Sequence, residues 1–149
     1  MTYRQALFIL ERAKIAQESL PMLIKQMSEA AEAHQHLTAT YGRERVSSTI
    51  GEYTCAGQRA LEYADERRAE VEKRLTRVLD CISNARKLLR LIINNDDAWH
   101  ILDMHYISGW SYGKIAKEYK TSISTVKRWR ENALQALRGA LDNQTKENP

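Results

Sequence analysis

Apolar and small side chains recur at Tyr3, Leu7, Leu10, Ala13, Leu20, Ile24, Met27, Ala31 and His34. Steps of three and four put such residues on one face of a helix. The spacing predicts a helix from about Thr2 to Leu37, with Thr2 as its N-cap. Pro21 lies inside the pattern and is expected to kink or restart the helix, with Ser19 able to cap the second part. From about Thr38 to Thr54 the period is lost, and Gly42, Gly51 and several Ser and Thr residues mark a connector. Arg43 and Arg45 flank Glu44 there. Such a patch can hold a phosphate, and a plain solvated loop explains it more simply.

The second stripe is cleaner. Ala64, Arg68, Val71, Leu75, Val78, Ile82, Ala85, Leu89 and Ile92 alternate four- and three-residue steps, the seam of a coiled coil. This predicts a helix from about Tyr53 to Ile93, a rod of about 60 Å at 1.5 Å per residue. A rod of that length cannot bury its stripe alone, so it needs the first helix folded back on it, a second copy, or both. Its flanks, including Glu62, Glu66, Arg67, Glu70, Lys73, Arg74 and Arg77, suit an exposed surface laced with ion pairs. Asn94, Asn95, Asp96 and Asp97 then break the pattern and offer N-caps. The expected division is therefore a helical hairpin or coiled-coil oligomerisation domain at 1–95 and a small helical domain at 96–149.

Three short helices are expected after the break, at about Asp97–Ile107, Tyr112–Tyr119 and Ile123–Leu141. Ile101, Leu102, Met104, Tyr106 and Ile107 supply apolar contacts in the first. Ser108-Gly109-Trp110 ends it. Ser111 can cap the second, whose inner face would be Ile115, Ala116 and Tyr119. Lys120-Thr121 makes a short turn, and Ser122 caps the third, whose inner residues are Val126, Trp129, Ala133, Leu134, Leu137 and Leu141. Two helices joined by so short a turn, the second basic, form the helix-turn-helix pattern. Ala116 is small where the second helix would cross, and Ile115 and Val126 fill the wedge. Ile123, Ser124, Lys127 and Arg128 then point outward at the helix end that enters a major groove.

Composition narrows the function classes. The chain has 149 residues, of which 43% are apolar, so it can bury a core. Six Gly and two Pro are too few turn residues for a β-sandwich or barrel, and the expected class is all-α. No apolar run reaches the roughly 18 residues of a membrane span, and no signal peptide is recognisable, so a soluble cytoplasmic protein is expected. Cys55 and Cys81 form no disulfide framework and no CxxC, and read as buried structural thiols. The net charge of +4 says little until it is mapped. Within 111–130, Lys114, Lys117, Lys120, Lys127, Arg128 and Arg130 face only Glu118, a local net charge of +5. A polyanionic partner fits that window.

Catalytic and cofactor signatures are missing from the sequence. It has no GxxxxGK[ST] and no GxGxxG. His34 with His36, and His100 with His105, do not have the four-residue spacing of helical metal ligands. Asp96 and Asp97 are explained as helix-capping residues rather than as a two-metal nuclease pair. No enzyme activity, metal or cofactor is expected.

The string ILDMHYISGWSYGKIAKEYKTSISTVKRWRENALQAL resembles the promoter-reading region 4 of bacterial sigma factors over about Asp97–Leu141. The shared features are the helix ending in YISGWS, the IA pair before TVKR and the closing AL-x-x-L run. The resemblance implies that Ser122 caps the recognition helix and that Ile123, Ser124, Lys127 and Arg128 fall where sigma proteins contact bases and phosphates. It places Ile115, Ala116, Val126 and Leu134 in the packing. Two positions depart from the pattern: the usual turn glycine is Lys120, and the buried aliphatic after it is Thr121. Ile123 replaces a usually polar residue and could read a thymine methyl. The layout of the entire chain, including RVSSTIGEYTCAGQRALEY, is similar to the phage and prophage late-gene activators of the ArpU/RinA type.

The expected function is therefore a sequence-specific DNA-binding transcriptional regulator, phage or prophage encoded. It would bind double-stranded DNA through Ile123, Ser124, Lys127, Arg128 and Arg130, with Lys114, Lys117 and Lys120 on flanking phosphates. One such module binds weakly, so a homodimer or higher oligomer is expected. Two alternatives remain open: a phage terminase small subunit, also a helix-turn-helix joined to helical oligomerisation, and an interaction protein that docks on RNA polymerase.

Overall fold

The computed structural model describes residues 1–44 and 52–147, with side chains described for 1–40, 57–144 and 146. Among the described residues all regular structure is helical: α1 (Tyr3–Glu44), α2 (Glu52–Leu89), α3 (Asp96–Leu102), α4 (Tyr112–Glu118) and α5 (Ile123–Glu147). A 3₁₀ turn, Arg90–Ile92, follows α2, and a π-helical turn, Asp103–Ile107, follows α3. No helix among the described residues is long and apolar enough to cross a membrane. Two compact units are present: Met1–Ser19 with Val78–Pro149, and Leu20–Arg77. This grouping cuts α1 and α2 and differs from the division at 95/96.

Thr2 opens α1 through a capping box. Its backbone N–H donates to Gln5 Oε1 at 2.9 Å, and Gln5 N–H donates to Thr2 Oγ1 at 3.4 Å. The helix passes through Pro21 without a break. Ser19 does not cap a second helix; its hydroxyl donates to the Ala16 carbonyl at 2.8 Å. A proline inside a helix costs one hydrogen bond, here to the Gln17 carbonyl, and burial of Ala16 and Leu23 on either side offsets that loss. The connector is also shorter than expected. Thr38 and Thr40 turn their hydroxyls onto the carbonyls of His34 and His36 at 2.8 and 2.9 Å, so they are accommodated within α1, which reaches Glu44. Arg45 and Gly51 lie outside the described residues, as do the side chains of Arg43 and Cys55.

In the unit 20–77, Leu23 and Val71 are buried and His34 Nε2 lies 3.0 Å from Asp65 Oδ1, joining α1 to α2. Arg68, on the expected seam, is exposed, as is Ile24 of the first stripe.

In the other unit the start of α1 buries a strip of small residues. Ala6, Leu10 and Ala13 are fully inaccessible and Ala16 nearly so. From α2 and its 3₁₀ turn, Ile82, Ala85, Leu88, Leu89 and Ile92 are buried, which continues the seam inward. Asn95 caps α3 by accepting from Ala98 N–H at 3.2 Å, with Asp96 and Asp97 in the first turn against the positive end of the helix dipole. The π turn ends with Ser108 N–H on the Asp103 carbonyl at 2.8 Å. Gly109 follows at φ +69°, and a Cβ there would stand 3.0 Å from Gln17 Cγ, so both backbone and space require glycine.

His105 is buried, which the sequence pattern did not indicate. Lys14 Nζ lies 3.3 Å from His105 Nε2, and Nδ1 lies 3.1 Å from the Trp110 carbonyl. An ammonium can only donate, so Nε2 accepts and Nδ1–H donates: the ring is neutral with its tautomer fixed. It stacks on Tyr112 at 4.4 Å and meets Tyr106 edge-on at 4.8 Å. Burial, then the Lys14 charge, push its pKa down to about 4, against a pull upward from the Trp110 bond and a further push from Arg130. The unfolded chain takes up the proton more readily, at about 6.5. His105 therefore contributes stability that is full above 6.5 and is lost as pH falls toward 4, roughly 3 kcal/mol in all. Asp103, raised by burial, acts in the opposite sense as pH falls through its own range. Thermal unfolding followed at pH 7, 6, 5 and 4 should show a falling midpoint that His105→Gln flattens.

Candidate nucleic-acid interface

The helix-turn-helix is built from α4, the turn 119–122 and α5. Ser111 caps α4, accepting from Lys114 N–H at 3.2 Å. Ser122 caps α5, accepting from Thr125 N–H at 3.2 Å, with its hydroxyl 2.9 Å from Thr125 Oγ1. Between them the chain closes with Tyr119 N–H on the Ile115 carbonyl and Thr121 N–H on the Ala116 carbonyl, at 3.0 and 2.9 Å. Such a helix end needs one residue in the left-handed region. That residue is Lys120, at φ +49°, the sole non-glycine at positive φ among the described residues. Ile115, Ala116 and Val126 fill the crossing, and Ala133, Leu134, Leu137 and Leu141 continue the buried face of α5. Tyr119 departs from the expected inner face: it is 48% exposed and meets half-buried Trp129 edge-on at 5.9 Å. Its place at the helix end, as the last residue before the left-handed turn, swings it outward. Trp129 is thereby engaged in packing.

Seven of the eight residues singled out from the sequence are exposed. Ile123, Ser124, Lys127 and Arg128 occupy the first turn and a half of α5, and Lys114, Lys117 and Lys120 lie on α4 and the turn. Ile123 is 48% exposed at the very start of the recognition helix, so an aliphatic group is offered beside the cations. Two lysines lean on aromatic rings. Lys114 Nζ stands 3.9 Å from the Trp110 centroid, and Lys127 Nζ 5.9 Å from that of Tyr112. These contacts hold the alkyl stems on the surface while the ammonium groups stay accessible.

Arg130 is placed differently. Its Nε and Nη2 donate to the Tyr106 hydroxyl at 2.9 and 2.6 Å, and Nη1 pairs with Glu131 at 2.9 Å. The guanidinium is therefore occupied in joining α5 to the π turn, and we leave it out of the contact set. Burial and the bonded guanidinium pull the Tyr106 hydroxyl in opposite directions, and burial prevails, raising its pKa. The hydroxyl is thus a neutral acceptor with the charge kept on Arg130. Tyr106 and Arg130 are 24 residues apart, so local spacing carries no signal for this pairing.

Among the described residues no group of three or more His, Cys, Asp and Glu side chains could hold a metal ion. What the arrangement presents is an exposed helix start ringed by five cations and one aliphatic side chain.

Two outcomes follow for stability. Lys120→Gly removes the steric cost of the left-handed residue and should raise the unfolding free energy by about 1 kcal/mol in urea titration. Tyr106→Phe strands the Arg130 donors beside an apolar ring and should lower it by about 1–3 kcal/mol, with the exposed cations untouched.

Residues 95–139 match the family described as Sigma-70, region 4. No curated protein and no solved structure compared with the chain matches it. The match covers α3, the π turn, α4 and α5 as far as residue 139, so a helix-turn-helix of the sigma-70 region 4 kind, a DNA-binding and regulatory type, is found at residues 95–139.

Proposed function

We propose that this chain is a sequence-specific DNA-binding transcriptional regulator that acts as an oligomer and carries no catalysis. The carrying observation is the exposed start of α5. Ser122 satisfies the first free amides, the helix beyond is pinned by Val126 and Leu134, and Ile123, Ser124, Lys127 and Arg128 stand outward. A recognition helix enters the major groove by this end, where its first residues reach base edges. Arg128 is the residue with the planar donor fork suited to guanine, and Ile123 is suited to a thymine methyl. Lys114, Lys117, Lys120 and Lys127 surround them and fit phosphates on either side of the groove. Phosphate contacts set position, and base contacts set sequence. The net +5 of residues 111–130 fits the same reading through its place around the start of α5; residues 73–92 of the chain carry an equal net charge. The ArpU/RinA-like layout adds phage or prophage late-gene control as the setting.

The test is selection of bound fragments from genomic DNA, followed by titration of the best fragment at several salt concentrations. Four lysines on phosphates would give a log–log salt slope of about −3 to −4 for each module. Lys127→Ala with Arg128→Ala should weaken the selected fragment at least about tenfold and leave the unfolding midpoint unchanged. An affinity indifferent to both salt and these substitutions would overturn the reading.

A further inference from the structure

The outer face of α1 carries an apolar row that none of the described residues covers. Phe8 and Ile15 are 60% and 66% exposed, on the side opposite the buried Ala6, Leu10 and Ala13. The Arg12 guanidinium lies 5.6 Å from the Phe8 ring centroid and shields it only in part. The two apolar residues are seven apart, the repeat that keeps one line of a helix facing a neighbouring helix. Viewed down α1, Arg4, Glu11 and Glu18 flank this line on one side, and Gln5, Arg12 and Ser19 flank it on the other; all but half-buried Ser19 are exposed. The two flanks are complementary to each other at every level: cation beside amide, anion beside cation, anion beside hydroxyl.

We infer that this face is the interface with a second copy of the chain, with the two α1 helices running parallel about a two-fold axis. In a parallel pair the left flank of one helix faces the right flank of the other. Glu11 then meets Arg12 of the second copy twice over, Arg4 meets Gln5 and Glu18 meets Ser19, while Phe8 packs on Phe8 and Ile15 on Ile15. An antiparallel pair sets each flank against itself. Matching Phe8 with Ile15 in that sense would pair Arg4 with Glu18 at the ends but bring Glu11 against Glu11 and Arg12 against Arg12, a like-charge penalty at the centre of the seam that cancels the end pairs. The charges thus select both the partner and the direction. A two-fold pair of this kind would bring two copies of the helix-turn-helix into one particle, the arrangement a two-half-site operator needs. That last consequence rests on the proposed function; the interface itself does not.

The experiment is sedimentation equilibrium of the full chain without DNA, so its result is independent of whether the protein reads DNA. The wild type should be a dimer. Ile15→Glu should raise the dimer dissociation constant at least about tenfold with unchanged helicity, since the residue is exposed. Glu11→Arg should weaken the dimer, and Glu11→Arg combined with Arg12→Glu should restore most of the affinity. In a Cys55→Ser, Cys81→Ser background, Ile15→Cys should form a disulfide with itself across the pair on mild oxidation, which an antiparallel seam does not allow. A monomeric wild type, a dimer indifferent to Ile15→Glu, a charge swap no better than the single reversal, or an Ile15→Cys chain that fails to cross-link would each overturn the inference.

Discussion

Three adjacent side chains, His105, Tyr106 and Ile107, are all buried, and the rest of the C-terminal unit is arranged around accommodating them. An α-helix spreads neighbours over more than half a turn, so three in a row cannot share one inward face. The π turn at Asp103–Ile107 narrows that spread. It also takes two polar groups into the interior, and buried polar groups must find partners. Each finds one on a different helix. His105 accepts from Lys14 of α1 and donates to the Trp110 carbonyl; Tyr106 accepts twice from Arg130 of α5. Among the described residues no buried side-chain nitrogen or oxygen lacks a partner. One wide turn is therefore what joins α1 and the recognition helix to α3.

That arrangement also divides the basic window by task. Arg130 is spent inside, where a planar fork can satisfy one hydroxyl with two donors, a geometry lysine cannot supply. The outer positions are mostly lysines, whose compact charges suit phosphates at varied angles. Arg128 is the exception on the exposed arc. Lys120 stands at the left-handed position of the turn, where glycine would fit without strain. Keeping a cation there trades some stability for charge beside the start of α5.

Much of this was readable from residue order. The Ser111 and Ser122 caps, the Ile115–Ala116–Val126 wedge and the positions of the α3–α5 helices are local or short-range consequences of spacing, and the caps and wedge formed as the pattern implied. The departure at Lys120 pointed to the one strained backbone position because a turn of that length requires a left-handed residue whatever its identity. Tertiary pairings were not readable. Burial of His105 carries no local signal because Lys14, which faces it, is 91 residues away. Arg130 looked like one more cation in a basic run because Tyr106 sits on another element. The connector was read too long since Thr38 and Thr40 signal a loop only when their hydroxyls do not turn back onto the helix that carries them. Pro21 does not restart the helix for a related reason: propensity is local, while burial of Ala16 and Leu23 on either side acts on the whole helix.

The folding unit and the recognisable unit are consequently not the same length of chain. The segment that matches sigma-70 region 4 begins at residue 95, yet the compact unit that contains it also holds residues 1–19 and 78–94. Those residues are not a neutral attachment. Lys14 is the acceptor nitrogen's donor at His105, Gln17 lies against the glycine that follows the π turn, and the Arg138 guanidinium of α5 stands 5.8 Å from the Tyr3 ring. Three points on α1 thus touch α5, the π turn and the loop after it. The strip of alanines between those points makes such close approach possible, because a larger side chain at Ala6, Ala13 or Ala16 would hold α1 away and break the Lys14 bond. Ala6, Ala13 and Ala16 face inward together with Leu10, while Phe8 and Ile15 stand on the outward face. A helix that must sit close on one side and carries its bulk on the other is held by its own chain through the first face and is free to be read by another molecule through the second.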